Sequence, residues 1–288
     1  MKIGCRMAPF AREAGFEGFA SFLKDNGFDA VDAPALTAQI KSVCDKLKIA
    51  IGSSDNNTNL LSEDEAQCKK ELQKAKDGIS AIADNGGQVM FTVVKPAVAS
   101  TGRKKAFELF ERIYPPLVAH AEAKGVKIAM EPWPGGAPFY STLGCTPEIL
   151  RAMFKAIPSP NLGLCYDPSH FARIQIDYLR LLNEFGQRVF HVHLKDCEIL
   201  EEGLYEFGIL GQTFTPCKHS HSEGWWRYCI PGKGEVDWTR VVNRLRDFNY
   251  QGVLSVELED TYYRATEEDQ KRGILAAKAY IDGVLDKE

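Results

Sequence analysis

The sequence of 288 residues has no stretch suited to crossing a membrane. No window approaches the roughly 18 consecutive apolar residues that a transmembrane helix needs. The N-terminus, which reads MKIGCRMAPF, lacks a basic region followed by an apolar one and so predicts no secretory signal. We therefore expect a cytoplasmic protein that has no membrane partner.

Positive charge is in slight deficit. The chain has 35 Lys and Arg against 39 Asp and Glu, which gives a formal net charge of −4, and its pI is near 5.9. Proteins that bind the phosphate backbone of nucleic acids carry a broad positive field, which this composition does not supply. We expect no nucleic-acid partner.

Paired cysteine motifs are missing as well. The eight cysteines are scattered without a CxxC pair, and several lie in apolar runs such as 164–166. This pattern predicts buried free thiols in a reducing compartment. The 44% apolar and 26% charged residues are typical of globular proteins and exclude disordered and fibrous chains.

Eight short apolar runs alternate with segments of helical periodicity. Strands are predicted at 2–5, 28–32, 49–52, 88–94, 127–130, 162–166, 189–194 and 252–258. Helices are predicted at 13–25, 37–47, 63–85, 103–125, from 146 onward, and at 174–185, 237–247 and 266–285. The Pro115-Pro116 pair inside 103–125 must kink or break that helix.

This alternation predicts one α/β domain over 1–288, a (β/α)8 TIM barrel. Continuous apolar strands joined by crossover helices are typical of a parallel sheet that is covered on both faces. The rival fold, an open doubly wound sheet, normally carries a glycine-rich phosphate turn after its first strand. Residues 6–9 (RMAP) do not form such a turn, so the barrel is favoured.

One connection is much longer than the others. Residues 195–236, after the seventh strand, are rich in Gly, His and aromatic residues and predict a long active-site loop. We expect its segment 225–228 (WWRY) to close over the substrate. The alternative is that these aromatic side chains only pack the loop onto the barrel.

A carboxylate or an imidazole lies at or near the carboxyl end of four successive predicted strands, at Glu131, Asp167, His193 and Glu257. Active sites of such barrels lie at the carboxyl ends of the strands, so these groups are expected to converge. Three carboxylates would repel one another unless a cation neutralises them. The ligand set predicts one divalent cation, for which Mn²⁺ is the expected ion and Mg²⁺, Co²⁺ and Zn²⁺ are alternatives.

Strand alternation refines the choice of ligands. His191 and His193 point to the same side of their strand, and His193 lies nearer the carboxyl end. His193 is therefore the expected ligand, and His191 is expected to support it or pack. Glu257 is preferred over Glu259 because it ends the apolar run.

Five motifs lie at the strand ends and in the long loop, namely 131–132 (EP), 167–170 (DPSH), 191–196 (HVHLKD), 231–238 (PGKGEVDW) and 255–257 (SVE). Together they resemble the sugar phosphate isomerase/epimerase family, whose fold is the xylose-isomerase-like TIM barrel. The resemblance spans the chain. It implies Glu131, Asp167, His193 and Glu257 as metal ligands, the two glutamates as catalytic acid/base groups, and His170 at the substrate.

The sequence departs from the ketose 3-epimerases of that family after His193. Those enzymes hold their substrate with an Arg shortly downstream, whereas Lys195 and its neighbours stand here. We expect Lys195 to bind the substrate together with Trp225, Trp226 and Arg227.

These residues predict a metal-dependent isomerase or epimerase that acts on a keto-sugar or sugar derivative through proton abstraction and an ene-diolate intermediate. The alternative is a lyase that cleaves 3-oxo-glycosides, including C-glycosides, by β-elimination, as relatives of this family do. The expected partner is a small carbohydrate. A homo-oligomer is considered for either activity, and a small partner subunit for the lyase.

Two other classes are weighed against an isomerase. Endonuclease IV resembles this fold, but it needs histidine ligands at the ends of early strands, where this chain reads 32–33 (DA), 53–55 (SSD) and 94–95 (VK). Its DNA substrate also fits poorly with an acidic pI. A sugar-binding barrel without catalysis is the other alternative.

Overall fold

The computed structural model describes residues 1–214 and 216–286. In these ranges the strands are β1 (Lys2–Arg6), β2 (Ala30–Ala33), β3 (Ala50–Asp55), β4 (Val89–Thr92), β5 (Lys127–Met130), β6 (Leu162–Tyr166), β7 (Val189–Leu194), β8 (Asp196–Ile199), β9 (Trp226–Cys229) and β10 (Val253–Val256). The α-helices are α1 (Ala11–Asp25), α2 (Ala38–Leu47), α3 (Glu65–Asp84), α4 (Arg103–Ile113), α5 (Pro115–Lys124), α6 (Pro147–Ala156), α7 (Pro168–Arg173), α8 (Tyr178–Phe185), α9 (Glu201–Phe207), α10 (Trp238–Asp247) and α11 (Glu267–Leu285).

Eight strands close into a barrel in the order β1, β10, β7, β6, β5, β4, β3, β2. The registered pairs β1–β10, β3–β4, β4–β5, β5–β6 and β6–β7 are all parallel. The predicted (β/α)8 barrel is thereby confirmed, with β10 as its eighth strand. Because parallel strands of a barrel share one direction, the residues that follow them lie at the same face.

Backbone contacts group the chain into two compact units. The first comprises Met1–Ala30, Asp167–Gln187 and His193–Glu288. The second comprises Val31–Tyr166 and Arg188–Val192.

The first unit contains the segment 195–236. The sequence led us to expect a long loop here, but part of the segment forms regular secondary structure. β8 and β9 pair as an antiparallel ribbon, from Asp196 opposite Cys229 to Ile199 opposite Trp226, with α9 between them. The ribbon forms because its apolar side chains join a buried cluster that includes Cys197, Trp226 and Tyr228. Residue 215 of the predicted loop lies outside the described residues.

Asp196 fastens this segment at its two ends. One carboxylate oxygen accepts hydrogen bonds from the backbone N–H groups of Cys197 at 2.8 Å and Val236 at 3.0 Å. The other accepts one from Gly232 at 3.1 Å. Burial, opposed by these N–H donors, raises the pKa of Asp196 to about 6.

The second unit holds the strands from β3 to β6 and most of β7. Phe91, Ala129 and Cys165 form a buried apolar cluster on β4, β5 and β6. Gly163 lets β6 approach its neighbour, because a Cβ at this position would lie 2.2 Å from the carbonyl oxygen of Arg188. The close approach therefore requires glycine here.

The helices follow the predicted pattern with two refinements. The segment 103–125 is divided into α4 and α5, and α5 starts at Pro115, which confirms the predicted break. A short helix that the sequence reading missed, α7, directly follows β6. It starts there because Asp167 caps it and Pro168 occupies its first position, where a missing N–H costs nothing.

The cysteines are free thiols, and every one except Cys217 is buried, as the sequence predicted. Among the described residues, none of the helices combines the length and the apolar character that a membrane span requires.

Candidate active site

The carboxylate of Asp167 is oriented by the start of α7. Its Oδ1 accepts hydrogen bonds from the backbone N–H of Ser169 at 3.0 Å and from the Ser169 hydroxyl at 2.6 Å. Its Oδ2 is buried and accepts no hydrogen bond. One oxygen thus fixes the side chain, and the other is presented to the neighbouring charged groups.

His193 and Glu257 come from adjacent strands of the barrel. His193 is the penultimate residue of β7, and Glu257 directly follows β10. The Nδ1 atom of His193 lies 3.3 Å from Oε2 of Glu257, and the backbone N–H of Glu257 contacts the carbonyl oxygen of Leu194 at 3.4 Å.

Lys195 occupies the centre of this group of acidic side chains, although lysine is seldom fully buried. Its side chain is almost fully buried, with a residue exposure of 1%. The ammonium nitrogen lies 2.5 Å from Glu257 Oε2, 2.9 Å from Glu259 Oε2 and 3.2 Å from Asp167 Oδ2. One ammonium group therefore contacts three carboxylates, and the cluster keeps an excess of negative charge that suits a further cation.

Glu257 is held as a carboxylate. Its burial alone would raise its pKa, but the positive charge of Lys195, the contact with His193 and the guanidinium of Arg6 outweigh burial. Arg6 Nε lies 3.1 Å from the second carboxylate oxygen of Glu257. The pKa of Glu257 is consequently well below its usual value.

Asp167, His193 and Glu257 form a group with the chemistry of a metal site. Each offers one ligand atom, and these atoms lie within 4.8 Å of one another. Two carboxylate oxygens and one imidazole nitrogen suit a divalent cation of the Mn²⁺, Mg²⁺, Co²⁺ or Zn²⁺ type.

The predicted ligand Glu131 lies in the second compact unit, directly after β5. It is buried, with 6% exposure, and its backbone N–H donates to the carbonyl oxygen of Thr92 at 2.9 Å. In the same unit, His191 Nε2 lies 3.0 Å from a carboxylate oxygen of Asp32. The ring of His191 is therefore engaged by an acidic partner of its own.

His170, the predicted substrate residue, lies on α7 beside Asp167. Its Nε2 is 3.5 Å from both Asp167 Oδ2 and Lys195 Nζ. Its Nδ1 is 2.7 Å from the hydroxyl oxygen of Tyr228.

The other predicted substrate residues lie in or beside the β8–β9 ribbon. Trp225 and Trp226 are buried in the cluster that also contains Tyr228. Arg227 points away from them and forms ion pairs with Asp260 at 3.0 Å and with Glu198 at 2.5 Å. Their contact with substrate stays a prediction, and the observed role of both tryptophans is to pack the ribbon.

Two residues of this neighbourhood, Arg6 and Arg173, were missed from the sequence, and Tyr228 was expected only as part of the segment 225–228. Strand alternation placed Glu259 on the side of Glu257, and the structure pairs it with Lys195 at 2.9 Å. Tyr228 could have been found only by recognising 226–229 as a strand, because alternation then separates Trp226 and Tyr228 from Arg227.

Comparison with known proteins adds the family. A model of the xylose isomerase-like TIM barrel family matches residues 8–280. The inosose dehydratase of Lactiplantibacillus plantarum is 38% identical over 98 residues, which are 34% of this chain and 30% of that protein. The first curated relatives are matched over less than half of their own length.

Solved structures match over nearly the whole chain. The 3-keto-D-glucoside 4-epimerase of E. coli has a TM-score of 0.70 at 17% identity, covering 98% of this chain and 99% of that one. The IOLI protein, whose structure has a bound zinc atom, has a TM-score of 0.73 at 18% identity, covering 100% and 99%. At these identities the similarity concerns the fold.

Proposed function

Because this chain belongs to the xylose isomerase-like TIM barrel family, we propose that it is a divalent-metal-dependent enzyme that isomerises or epimerises a keto-sugar or sugar derivative. The observation that carries the proposal is the group of Asp167, His193 and Glu257, whose ligand atoms lie within 4.8 Å of one another. Relatives named as inosose dehydratases and epimerases support a small polyhydroxylated carbonyl compound as the substrate.

The residues present fit a divalent ion. Asp167 Oδ2 is a buried carboxylate oxygen that takes part in no hydrogen bond and lies 3.2 Å from the Lys195 ammonium, so it already faces a positive charge, as a metal ligand would. We propose Glu131 as the fourth ligand, because it follows β5 and the carboxyl ends of parallel barrel strands share one face. Mn²⁺ is the proposed ion, since three carboxylates and one imidazole suit it.

The proton transfers are assigned to two glutamates. When bound, the ion polarises a substrate carbonyl and so acidifies the neighbouring C–H group. Glu257, which is held as a carboxylate beside His193, accepts that proton. Glu131 starts this step protonated and delivers its proton to the opposite face of the same carbon for epimerisation or to the neighbouring carbon for isomerisation, and proton exchange with solvent then restores both glutamates.

His170 and Lys195 are proposed to hold the substrate. Both side chains approach Asp167 Oδ2, from 3.5 Å and 3.2 Å. Lys195 brings an ammonium group that donates to substrate oxygens where negative charge develops during enolisation.

A lyase is the second candidate, favoured by the match to an inosose dehydratase. If the carbon beside the carbanion bears a leaving group, the same proton abstraction continues to β-elimination. The leaving group is then water from a cyclic polyol or the aglycone of a 3-oxo-glycoside.

Solvent exchange tests the proposal directly. The metal-loaded protein is incubated in D₂O with ketoses, cyclic keto-polyols and 3-oxo-glycosides, and deuterium at the carbon next to the carbonyl is measured by NMR. We expect uptake that stops with EDTA and returns with Mn²⁺ or Co²⁺. Loss of water or of an aglycone selects the lyase, and full activity in a metal-free sample refutes the metal role.

Glu→Gln variants separate proton transfer from metal binding. Glu131→Gln and Glu257→Gln should retain an appreciable fraction of the metal but lose about 10²–10⁴-fold in turnover, because each removes a positioned acid or base. The matched control is Glu108→Gln, whose carboxylate is exposed on α4 and pairs with Lys105. If both site variants equalled the parent in activity per bound metal, the proton carriers would lie elsewhere.

A further inference from the structure

A hydrogen-bonded row of three side chains joins two residues of α7, Arg173 and His170, through Tyr228 of the ribbon. Arg173 donates from Nη1 to the hydroxyl oxygen of Tyr228 at 2.8 Å. That oxygen lies 2.7 Å from Nδ1 of His170, whose Nε2 faces Asp167 and Lys195 at 3.5 Å. Arg173, Tyr228 and His170 are all buried.

The directions of these hydrogen bonds follow from the chemistry of the groups. A guanidinium only donates, so the Tyr228 oxygen is the acceptor in its bond with Arg173. The hydroxyl hydrogen of Tyr228 then needs an acceptor of its own, because a buried donor is rarely left unsatisfied. Within the described ranges, the acceptor that it meets is Nδ1 of His170.

The opposite arrangement leaves the hydroxyl hydrogen of Tyr228 buried without an acceptor. If His170 carried its hydrogen on Nδ1, the Tyr228 oxygen would accept from both His170 and Arg173, and its own buried hydrogen would be left over. In that arrangement Nε2 of His170 would accept a hydrogen bond from the Lys195 ammonium, but at the long distance of 3.5 Å. With the hydrogen on Nε2, that N–H lies 3.5 Å from Oδ2 of Asp167, which the Lys195 ammonium approaches at 3.2 Å, and it can donate to a substrate oxygen.

The arginine that starts this row is held on several sides. Its guanidinium carbon lies 4.2 Å above the ring of Trp226, and its Nη2 is 3.5 Å from a carboxylate oxygen of Glu223. Stacking and pairing of this kind fix the plane of a guanidinium. The donor to Tyr228 is therefore set before a substrate arrives.

We propose that Arg173 and Tyr228 are positioning residues that fix the neutral tautomer of His170, so that its Nε2–H faces the active site as a hydrogen-bond donor. His170 then holds a substrate oxygen and does not remove a proton. This substrate role rests on the function proposed above, whereas the tautomer is a property of the protein itself.

The tautomer is measured on the substrate-free protein with ¹⁵N-labelled histidine. Long-range ¹H–¹⁵N correlation spectra show which ring nitrogen carries the hydrogen, and loss of one signal set in His170→Gln assigns the residue among the six histidines. We expect the hydrogen of His170 on Nε2. A hydrogen on Nδ1, or on both nitrogens, at neutral pH overturns the proposal.

Tyr228→Phe should abolish this preference, because the phenyl ring keeps the packing and removes the donor to Nδ1. Tyr178→Phe is the matched control, since the Tyr178 hydroxyl binds the backbone of Glu235 and Asp237 instead. His170 should keep its tautomer in the control and in Arg173→Lys, which retains a cationic donor. An unchanged tautomer in Tyr228→Phe refutes the assigned role.

The kinetic effect is read separately. Tyr228→Phe should lower kcat/KM about tenfold, mainly through KM, because a substrate hydrogen bond becomes less well directed. If the parent protein shows the Nε2 tautomer but catalyses no exchange on any substrate, the proposed function fails and the tautomer assignment stands.

Discussion

Lys195 provides the sharpest test of the electrostatics of the site. Its ammonium group lies within 3.2 Å of oxygens of Asp167, Glu257 and Glu259. Lys195→Met keeps most of the aliphatic length but removes the charge. The carboxylates then face one another and His193 without their central cation, so the variant should be less stable than the parent.

The expected loss follows from the burial of the partners. The side chains of Lys195 and Asp167 are 2% and 0% exposed, and that of Glu257 is 13% exposed. Removing one partner of a buried ion pair typically costs about 3–5 kcal/mol, because the remaining charge is uncompensated. We expect a loss of that size in the free energy of unfolding at neutral pH in the presence of a chelator.

The pH dependence has a defined sign. The folded-state pKa of Glu257 lies below its usual value of 4.5, largely because of Lys195. Its stabilising contribution is therefore present above about pH 4.5 and is lost as the pH falls through the depressed value. The difference in the free energy of unfolding between the parent and Lys195→Met should accordingly be large at pH 7 and should decrease as the pH falls towards 4.

Urea unfolding at both pH values, with EDTA, measures this gap. Lys271→Met is the control, because Lys271 pairs with Glu267 on the surface, where such pairs contribute about 1 kcal/mol or less. Added Mn²⁺ should stabilise Lys195→Met more than the parent, since the ion neutralises the same carboxylates. A loss below about 1 kcal/mol at pH 7, or an equal loss at both pH values, would refute the reasoning.

Two further results are expected for the fold. Folding raises the pKa of Asp196 from 3.8 to about 6, so the folded state binds the proton more tightly than the unfolded state. The stability of the parent relative to Asp196→Asn should therefore fall by about 2.4 kcal/mol in urea unfolding as the pH rises from 4 to 7. A difference that stays constant would contradict this. Gly163→Ala should lower the free energy of unfolding by about 1–3 kcal/mol, because the added Cβ would lie 2.2 Å from the carbonyl oxygen of Arg188. Gly102→Ala is the control, since a Cβ at that position has nothing within 4 Å. It should leave the free energy of unfolding nearly unchanged.

The barrel could be predicted because its pattern is local. Each strand is a short apolar run followed by a helix of clear periodicity, and the acidic and histidine residues stand where those runs end. Pro115 likewise has its effect within one turn, so the division of α4 from α5 was predictable.

The ribbon and the row through Tyr228 depend on distant partners. Residues 226–229 have no polar alternation, because Arg227 is buried on one face by Asp260 while Trp226 and Tyr228 are buried on the other. A strand buried on both faces is hard to distinguish from an aromatic loop in a single sequence. The partner strand β8, whose pairing makes 226–229 a strand, lies about 30 residues away in the sequence.

The position of Lys195 could be inferred only in part. Strand alternation puts it on the side of His191 and His193, so its direction towards the mouth was readable. Its burial was not, because the three carboxylates that neutralise it come from other parts of the chain.

The hydrogen bonds of Asp196 determine where the sequence of the inserted segment can be changed. The carboxylate binds backbone N–H groups at both ends of the inserted segment, next to Cys197 and at Gly232 and Val236. The two ends of the inserted segment are thus held together by Asp196. Doubling the length of a flexible loop whose ends are joined costs only about 0.6 kcal/mol in closure entropy. The exposed residues around its tip, such as Ile209, Leu210 and Phe214, can therefore be exchanged or the stretch lengthened at small cost to the closure of the segment.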